Sequence, residues 1–124
     1  MFLTLLQVAA GGAIGAAARF LTGQGFLRLG LSGFPWATLA INVVGSFLMG
    51  LLVVLLSQSG QIKTAPFLLT GLLGGFTTFS AFSLETVQLI ERGAFAPAAF
   101  YAAASVGLSL AALVLGLALA RSLS

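Results

Sequence analysis

Apolar residues dominate this chain so fully that its polar positions carry most of the information. Long uncharged runs cover residues 1–18, 29–62, 64–84 and 93–120, and the charges Arg19, Arg28, Lys63, Glu85, Glu91, Arg92 and Arg121 fall between or beside them. A helix crossing a bilayer needs about 20 mostly apolar residues. The pattern therefore predicts an all-α integral membrane protein, one domain over 1–124, with spans at about 3–26, 35–56, 66–91 and 95–120.

Within the spans the polar residues recur at helical spacing. In span two Asn42, Gly45, Ser46, Met49 and Gly50 fall at i, i+3, i+4, i+7 and i+8, a small and polar stripe headed by Asn42. In span four Tyr101, Ser105 and Ser109 recur every four residues and form a second stripe. Span one carries Gly11 and Gly15, and likewise Gly12 and Ala16, four apart, a spacing that lets two helix backbones approach closely. The loop before span two ends in Phe34-Pro35-Trp36, where Pro suits a first helical turn and Trp a membrane interface.

Span three is irregular. Two adjacent glycines and two β-branched threonines sit together in Gly71-Leu72-Leu73-Gly74-Gly75-Phe76-Thr77-Thr78, a poor helix by propensity. A break within Gly74–Ser80 is expected, leaving a third helix interrupted at mid-membrane. Non-helical backbone at that depth is tolerated only where it is buried in protein or lines a polar cavity, and its freed carbonyls can hold a cation. The alternative is a continuous helix whose glycines serve close packing. Beyond the break, Phe79 and Phe82 lie three apart on one face, interleaved with Ser80 and Ser83. Phenyl edges carry partial positive charge and can meet an anion, to which hydroxyls and the Asn42 amide can donate without any fixed charge. For the two aromatics taken alone, ordinary packing is the competing reading.

Composition narrows the function classes. The chain is 60% hydrophobic and 6% charged, with mean hydropathy +1.18, against roughly 25% charged in soluble domains. With no Cys and no His, disulfides, the usual metal-ligand clusters and nucleophile–base pairs are missing. Two glutamates six positions apart are a poor basis for acid–base chemistry, so neither an enzyme nor a nucleic-acid partner is expected. Met1–Ala18 has no positive charge before its apolar run and is expected to be a retained first span rather than a signal peptide.

Charge placement bears on orientation. Four spans put both termini and the second loop on one side, with Lys63 and Arg121, and the other loops opposite, with Arg28, Arg92 and, if it reaches that interface, Arg19. Two positive residues against two or three is nearly no bias. The expectation is insertion in both orientations, unless a determinant other than charge decides. Oppositely oriented copies would form an antiparallel homodimer whose two-fold axis lies in the membrane plane, where the break of span three meets its own copy. Arg19 either snorkels to the interface or makes an electropositive vestibule, and Glu85 is either a functional intramembrane carboxylate or an interfacial one.

Three segments then resemble the Fluc/CrcB family of fluoride channels: Gly11-Gly12-Ala13-Ile14-Gly15-Ala16-Ala17-Ala18-Arg19-Phe20, Thr38-Leu39-Ala40-Ile41-Asn42-Val43-Val44-Gly45-Ser46-Phe47 and Gly71-Leu72-Leu73-Gly74-Gly75-Phe76-Thr77-Thr78-Phe79-Ser80. The resemblance implies a passive fluoride-selective channel that exports fluoride, multi-pass in a bacterial inner (plasma) membrane. It also implies a dual-topology antiparallel homodimer with two pores and a structural Na⁺ on the dimer axis. The ion would be held by the backbone carbonyls of Gly74 and Thr77 from both subunits. Phe79 and Phe82 would be the pore aromatics, Asn42 would lie at the vestibule end, and Tyr101, Ser105 and Ser109 would line the pore along span four. Ser80 and Ser83 would remain as the polar track of span three, Arg19 would be the vestibule arginine, and Glu85 a carboxylate at the pore end. One departure stands out: many members carry Thr where this chain has Ala81, so one hydroxyl is missing and an altered rate is expected. A proton-coupled small multidrug transporter has similar length and spans, but needs an acidic residue in the first span, which this chain lacks.

Overall fold

Four helical stretches in the computed structural model, which describes residues 1–123, are long and apolar enough to cross a membrane: Phe2–Arg28, Trp36–Gln58, Ile62–Glu91 and Phe95–Ser122. The first, second and last are the continuous helices α1 (Phe2–Arg28), α2 (Trp36–Gln58) and α5 (Phe95–Ser122). The third stretch is composite. A short 3₁₀ turn, Ile62–Thr64, leads into a π-helical segment, Pro66–Leu73, then a single α turn, α3 (Gly74–Phe76), and finally α4 (Phe79–Glu91). Pro66 stands at the start of the π-helical segment, where its missing N–H costs no hydrogen bond.

The turns between spans are tight for a local reason. After α2, Gly60 takes a positive φ of 75°, and the next N–H, that of Gln61, bonds back to the Leu56 carbonyl at 3.0 Å. This is the Schellman closure, which needs a left-handed residue and so favours glycine. α4 ends the same way, with the Ala94 N–H on the Leu89 carbonyl at 2.9 Å.

The helices associate as two close pairs. α1 lies along the first half of the third span, where a Cβ on Gly11 would collide with the backbone of Phe67 and Leu72, and one on Gly15 with that of Leu72 and Phe76. The fit is reciprocal, because a Cβ on Gly75 would lie 2.6 Å from the Gly12 carbonyl oxygen. α2 and α5 cross in the same manner, a Cβ on Gly50 meeting the Leu113 carbonyl and one on Gly116 the Phe47 carbonyl. Lipid is as apolar as a leucine side chain, so helices in it associate through van der Waals contact, and bare glycine backbones maximise that contact. A cluster of Leu39, Leu89, Ala98 and Tyr101, with Phe34 and Phe82 packed on it, ties α4 to the α2–α5 pair.

These contacts assign the doubled glycines of span three. Gly74 keeps helical angles (φ −63°, ψ −36°), and only Thr77 (φ −82°, ψ 158°) and Thr78 (φ −153°, ψ 121°) are extended. The interruption expected over Gly74–Ser80 is thus confined to the two threonines. Gly75 serves close approach to α1, the role that a continuous helix would also have given it. The β-branched pair suits extended backbone.

Candidate functional site

An extended pair inside a helical span leaves backbone groups to satisfy, and side chains from two other helices do this. Asn42 on α2 donates from Nδ2 to the Thr78 carbonyl at 3.0 Å and accepts the Thr78 N–H on Oδ1 at 2.8 Å. Arg19 on α1 donates from Nε to the Gly75 carbonyl at 3.1 Å. That places a guanidinium at the carbonyl end of the half-helix closing at Phe76, the end that favours a cation. Thr78 also caps α4, its hydroxyl accepting the Ala81 N–H at 3.1 Å. Gly45, on the Asn42 face of α2, leaves room for the Thr77 methyl, which a Cβ would strike.

Besides the Gly75 carbonyl that Arg19 takes, the carbonyls of Gly74 and Thr77 lose their usual helical donors in this arrangement. In an unbroken helix the Thr78 N–H would bond Gly74 and the Ala81 N–H would bond Thr77; here they go to Asn42 and to the Thr78 hydroxyl. Gly74 is exposed on the surface of the single chain. The backbone oxygens of Gly74 and Thr77 are therefore neutral, hard donors with spare lone pairs, the donor type that suits an alkali cation.

Beside the break lies a cleft of about 350 Å³ bordered by Asn42, Thr78, Phe79, Phe82, Ser105 and Ser109. Ser46 and Met49 of the α2 stripe border it too, and no charged residue among those described does. The Phe79 and Phe82 rings sit 5.4 Å apart at 47°. Ser105 and Ser109, which border the same cleft, bury hydroxyl oxygens that have no hydrogen-bond partner among the described residues. A buried hydroxyl without a partner costs free energy, so two of them along one cleft mark it as a place for a hydrogen-bonding guest.

Other residues singled out from the sequence fall elsewhere. Tyr101 shares the Ser105–Ser109 stripe but does not border the cleft. It is fully buried, packs against Phe82 with the rings 5.2 Å apart and tilted at 48°, and donates its hydroxyl to Glu85 Oε1 at 2.9 Å. The second Glu85 oxygen, Oε2, accepts the Thr38 hydroxyl at 3.1 Å. Ser83 spends its proton on the Phe79 carbonyl at 3.0 Å, and Ser80 lies 3.3 Å from the Thr78 hydroxyl; neither borders the cleft. Arg19 and Glu85 together border a second cavity, about 330 Å³, which also touches Thr38, Thr78 and Ala81. Thr78 thus borders both cavities.

The structure adds Thr38 and Thr78 to the site, the first on the Glu85 carboxylate and the second on Asn42 and as the cap of α4. Thr38 stands one turn before Asn42 on the α2 stripe, and Thr78 is a hydroxyl residue just before a helical run, the usual signature of an N-cap. Both signals were present, but neither names a partner.

The family model described as "CrcB-like protein, Camphor Resistance (CrcB)" matches residues 6–117. Among similar proteins, one from Ruegeria sp. (strain TM1040) called "Fluoride-specific ion channel FluC" is 57% identical over 122 residues, covering 98% of this chain and 97% of the relative. One of the same name from Cereibacter sphaeroides is 60% identical over 121 residues, again 98% and 97%. A third, from Agrobacterium fabrum, is 53% identical over 123 residues, covering 98% of each.

Proposed function

Since the chain belongs to the CrcB family, we propose that it is a passive fluoride channel of the membrane, exporting fluoride down its gradient. The observation that carries the reading is the uncharged cleft bordered both by a phenylalanine pair and by two serines whose buried hydroxyls have no partner among the described residues. Fluoride is small and strongly hydrated, so it enters a narrow site only if donors replace its water. Ser105 and Ser109 supply O–H groups, and the edges of Phe79 and Phe82 supply weakly positive C–H. Among the described residues no lysine or arginine borders the cleft, so nothing there binds the ion so strongly that it stays. A larger halide gains less from the same donors. Arg19, bordering the second cavity, raises anion concentration at the approach.

The working unit in this reading is an antiparallel homodimer in the bacterial inner membrane, with both orientations inserted and one pore bordered by each subunit's cleft. The nearly balanced Lys and Arg on the two sides support it. The Gly74 and Thr77 carbonyls of both subunits would hold a Na⁺, whose part is to bind the two breaks together. The diverted Thr78 and Ala81 N–H groups support that assignment, since they leave these oxygens without their helical donors.

Fluoride-driven efflux from liposomes containing the purified protein, with chloride as control, tests the reading. Selective fluoride flux is expected, falling steeply in Phe79→Ile and Phe82→Ile while the dimer persists. Wild-type vesicles that release no fluoride would rule the channel out. Exchanging bath Na⁺ should weaken assembly slowly without setting the driving force; a current that reverses promptly with a Na⁺ gradient would overturn the structural role of the ion.

A further inference from the structure

The end of the molecule away from Arg19 and Glu85 carries a groove that ion passage does not use. It measures about 680 Å³ and lies between the start of α1 and the start of the third span. Leu6, Ala10 and Phe67 border it with apolar side chains, and Thr4, Gln7 and Lys63 add hydrogen-bond donors. Gln7 donates to the Lys63 carbonyl in a long bond of 3.5 Å that ties the turn to α1. The Lys63 ammonium and the Thr4 hydroxyl have no partner among the described residues. No carboxylate among those residues borders the groove; Glu85 and Glu91 sit toward the other end of the third span, beside Arg92.

The groove has a local cause. Close packing of α1 on the third span ends at Gly71, where a Cβ would crowd the Val8 and Gln7 carbonyl oxygens. Before those points neither element has another glycine, so side chains hold the backbones apart. Depth then orders the groups. Lys63 belongs to the short turn before the span, and Phe67 lies four residues on, about 6 Å along a helix axis. With Phe67 in hydrocarbon, the Lys63 ammonium reaches the level of lipid headgroups.

We propose that this groove binds one anionic phospholipid, its phosphate on Lys63 and Thr4 and the first methylenes of an acyl chain along Ala10 and Phe67. Charge selects the class of lipid. Lys63 lacks a carboxylate partner among the described residues, and a zwitterionic headgroup would bring its own cation beside it. The apolar border selects lipid over free phosphate, which gains nothing from Leu6 or Phe67. The bound lipid joins α1 to the third span at the end where glycine packing stops.

Native mass spectrometry of the purified full-length protein in detergent tests the site, with phosphatidylglycerol and phosphatidylcholine of identical acyl chains as probes. Phosphatidylglycerol should bind about fivefold more tightly, the scale of one lysine at an anionic surface. Lys63→Gln should abolish that preference, and Arg28→Gln, at a basic residue outside the groove, should keep it. Ala10→Trp, which fills the apolar side, should weaken binding of both lipids. Equal affinities in the wild type, or a preference that survives Lys63→Gln, would overturn the proposal. Displacement of phosphatidylglycerol by an equal concentration of glycerol phosphate would overturn it too, since the site would then be one for free phosphate. If a second copy of the chain covers the groove instead, Ala10→Trp shifts the ratio of monomer to dimer in the same spectra and leaves lipid affinity unchanged, which also defeats the idea. These readouts are independent of fluoride flux, so either reading can fail without the other.

Discussion

Asn42 and Thr78 exchange two hydrogen bonds, 3.0 Å from Nδ2 to the Thr78 carbonyl and 2.8 Å from the Thr78 N–H to Oδ1. The side chain of α2 does what a neighbouring strand would do for an extended residue. Lipid offers no substitute for those bonds, so the break depends on α2 being in place.

Asn42→Ala should therefore act first on stability. It strands one N–H and one C=O, each costing about 1–3 kcal/mol when buried without a partner. The expected result is a lower midpoint in thermal unfolding in detergent. Asn42→Asp keeps the acceptor for the Thr78 N–H but sets a carboxylate oxygen against the Thr78 carbonyl, so it should rescue only part of the loss. Equal midpoints for wild type and Asn42→Ala would show that the clamp contributes nothing.

Arg19→Gln should uncap the half-helix that closes at Phe76. The guanidinium bond to the Gly75 carbonyl is charge-assisted, a class contributing about 1.5–3 kcal/mol. Arg19→Lys keeps the charge but replaces the planar donor by a point charge, and should recover fluoride efflux more than stability. Measuring both in one protein preparation separates the capping role from the attraction of anions.

Gly15→Ala and Gly25→Ala make a paired comparison on α1. A Cβ at Gly15 meets the Leu72 and Phe76 backbones, which cannot move aside, while at Gly25 it meets nothing within 4 Å. Overpacking of this kind costs about 1–3 kcal/mol. At the open site, alanine's better helix propensity should instead add about 0.5–1 kcal/mol. Opposite signs in thermal stability are the expected outcome.

Ala81→Thr restores a hydroxyl in the cavity that holds Arg19 and Glu85 rather than in the Phe79–Phe82 cleft. The efflux rate should change by a modest factor while stability stays within about 0.5 kcal/mol, as for most accessible positions. An unchanged rate would mean the second cavity lies off the ion's route.

How much of this was legible beforehand varies by residue. Four spans followed from uncharged runs long enough for a bilayer, and the α2 stripe from its 3.6-residue period. Asn42, Ser46 and Met49 duly border one cleft. Periodicity assigns residues to a face of a helix but does not say what stands opposite. Tyr101, Ser105 and Ser109 share one stripe, yet the serines border the cleft while the longer tyrosine packs on Phe82 and carries its hydroxyl to Glu85.

The third span shows the same division. Sequence alone determined that this stretch would be a poor helix, since glycine and β-branched propensities act within a few residues. Which residues actually leave the helix was settled by contacts from elsewhere in the chain. Gly75 stays helical against Gly12, while Thr78 is drawn out by Asn42 and Gly75 is capped by Arg19, at separations of 36 and 56 residues. Local propensity weakens a helix; only partners that accept from the freed N–H and donate to the freed C=O determine where it breaks.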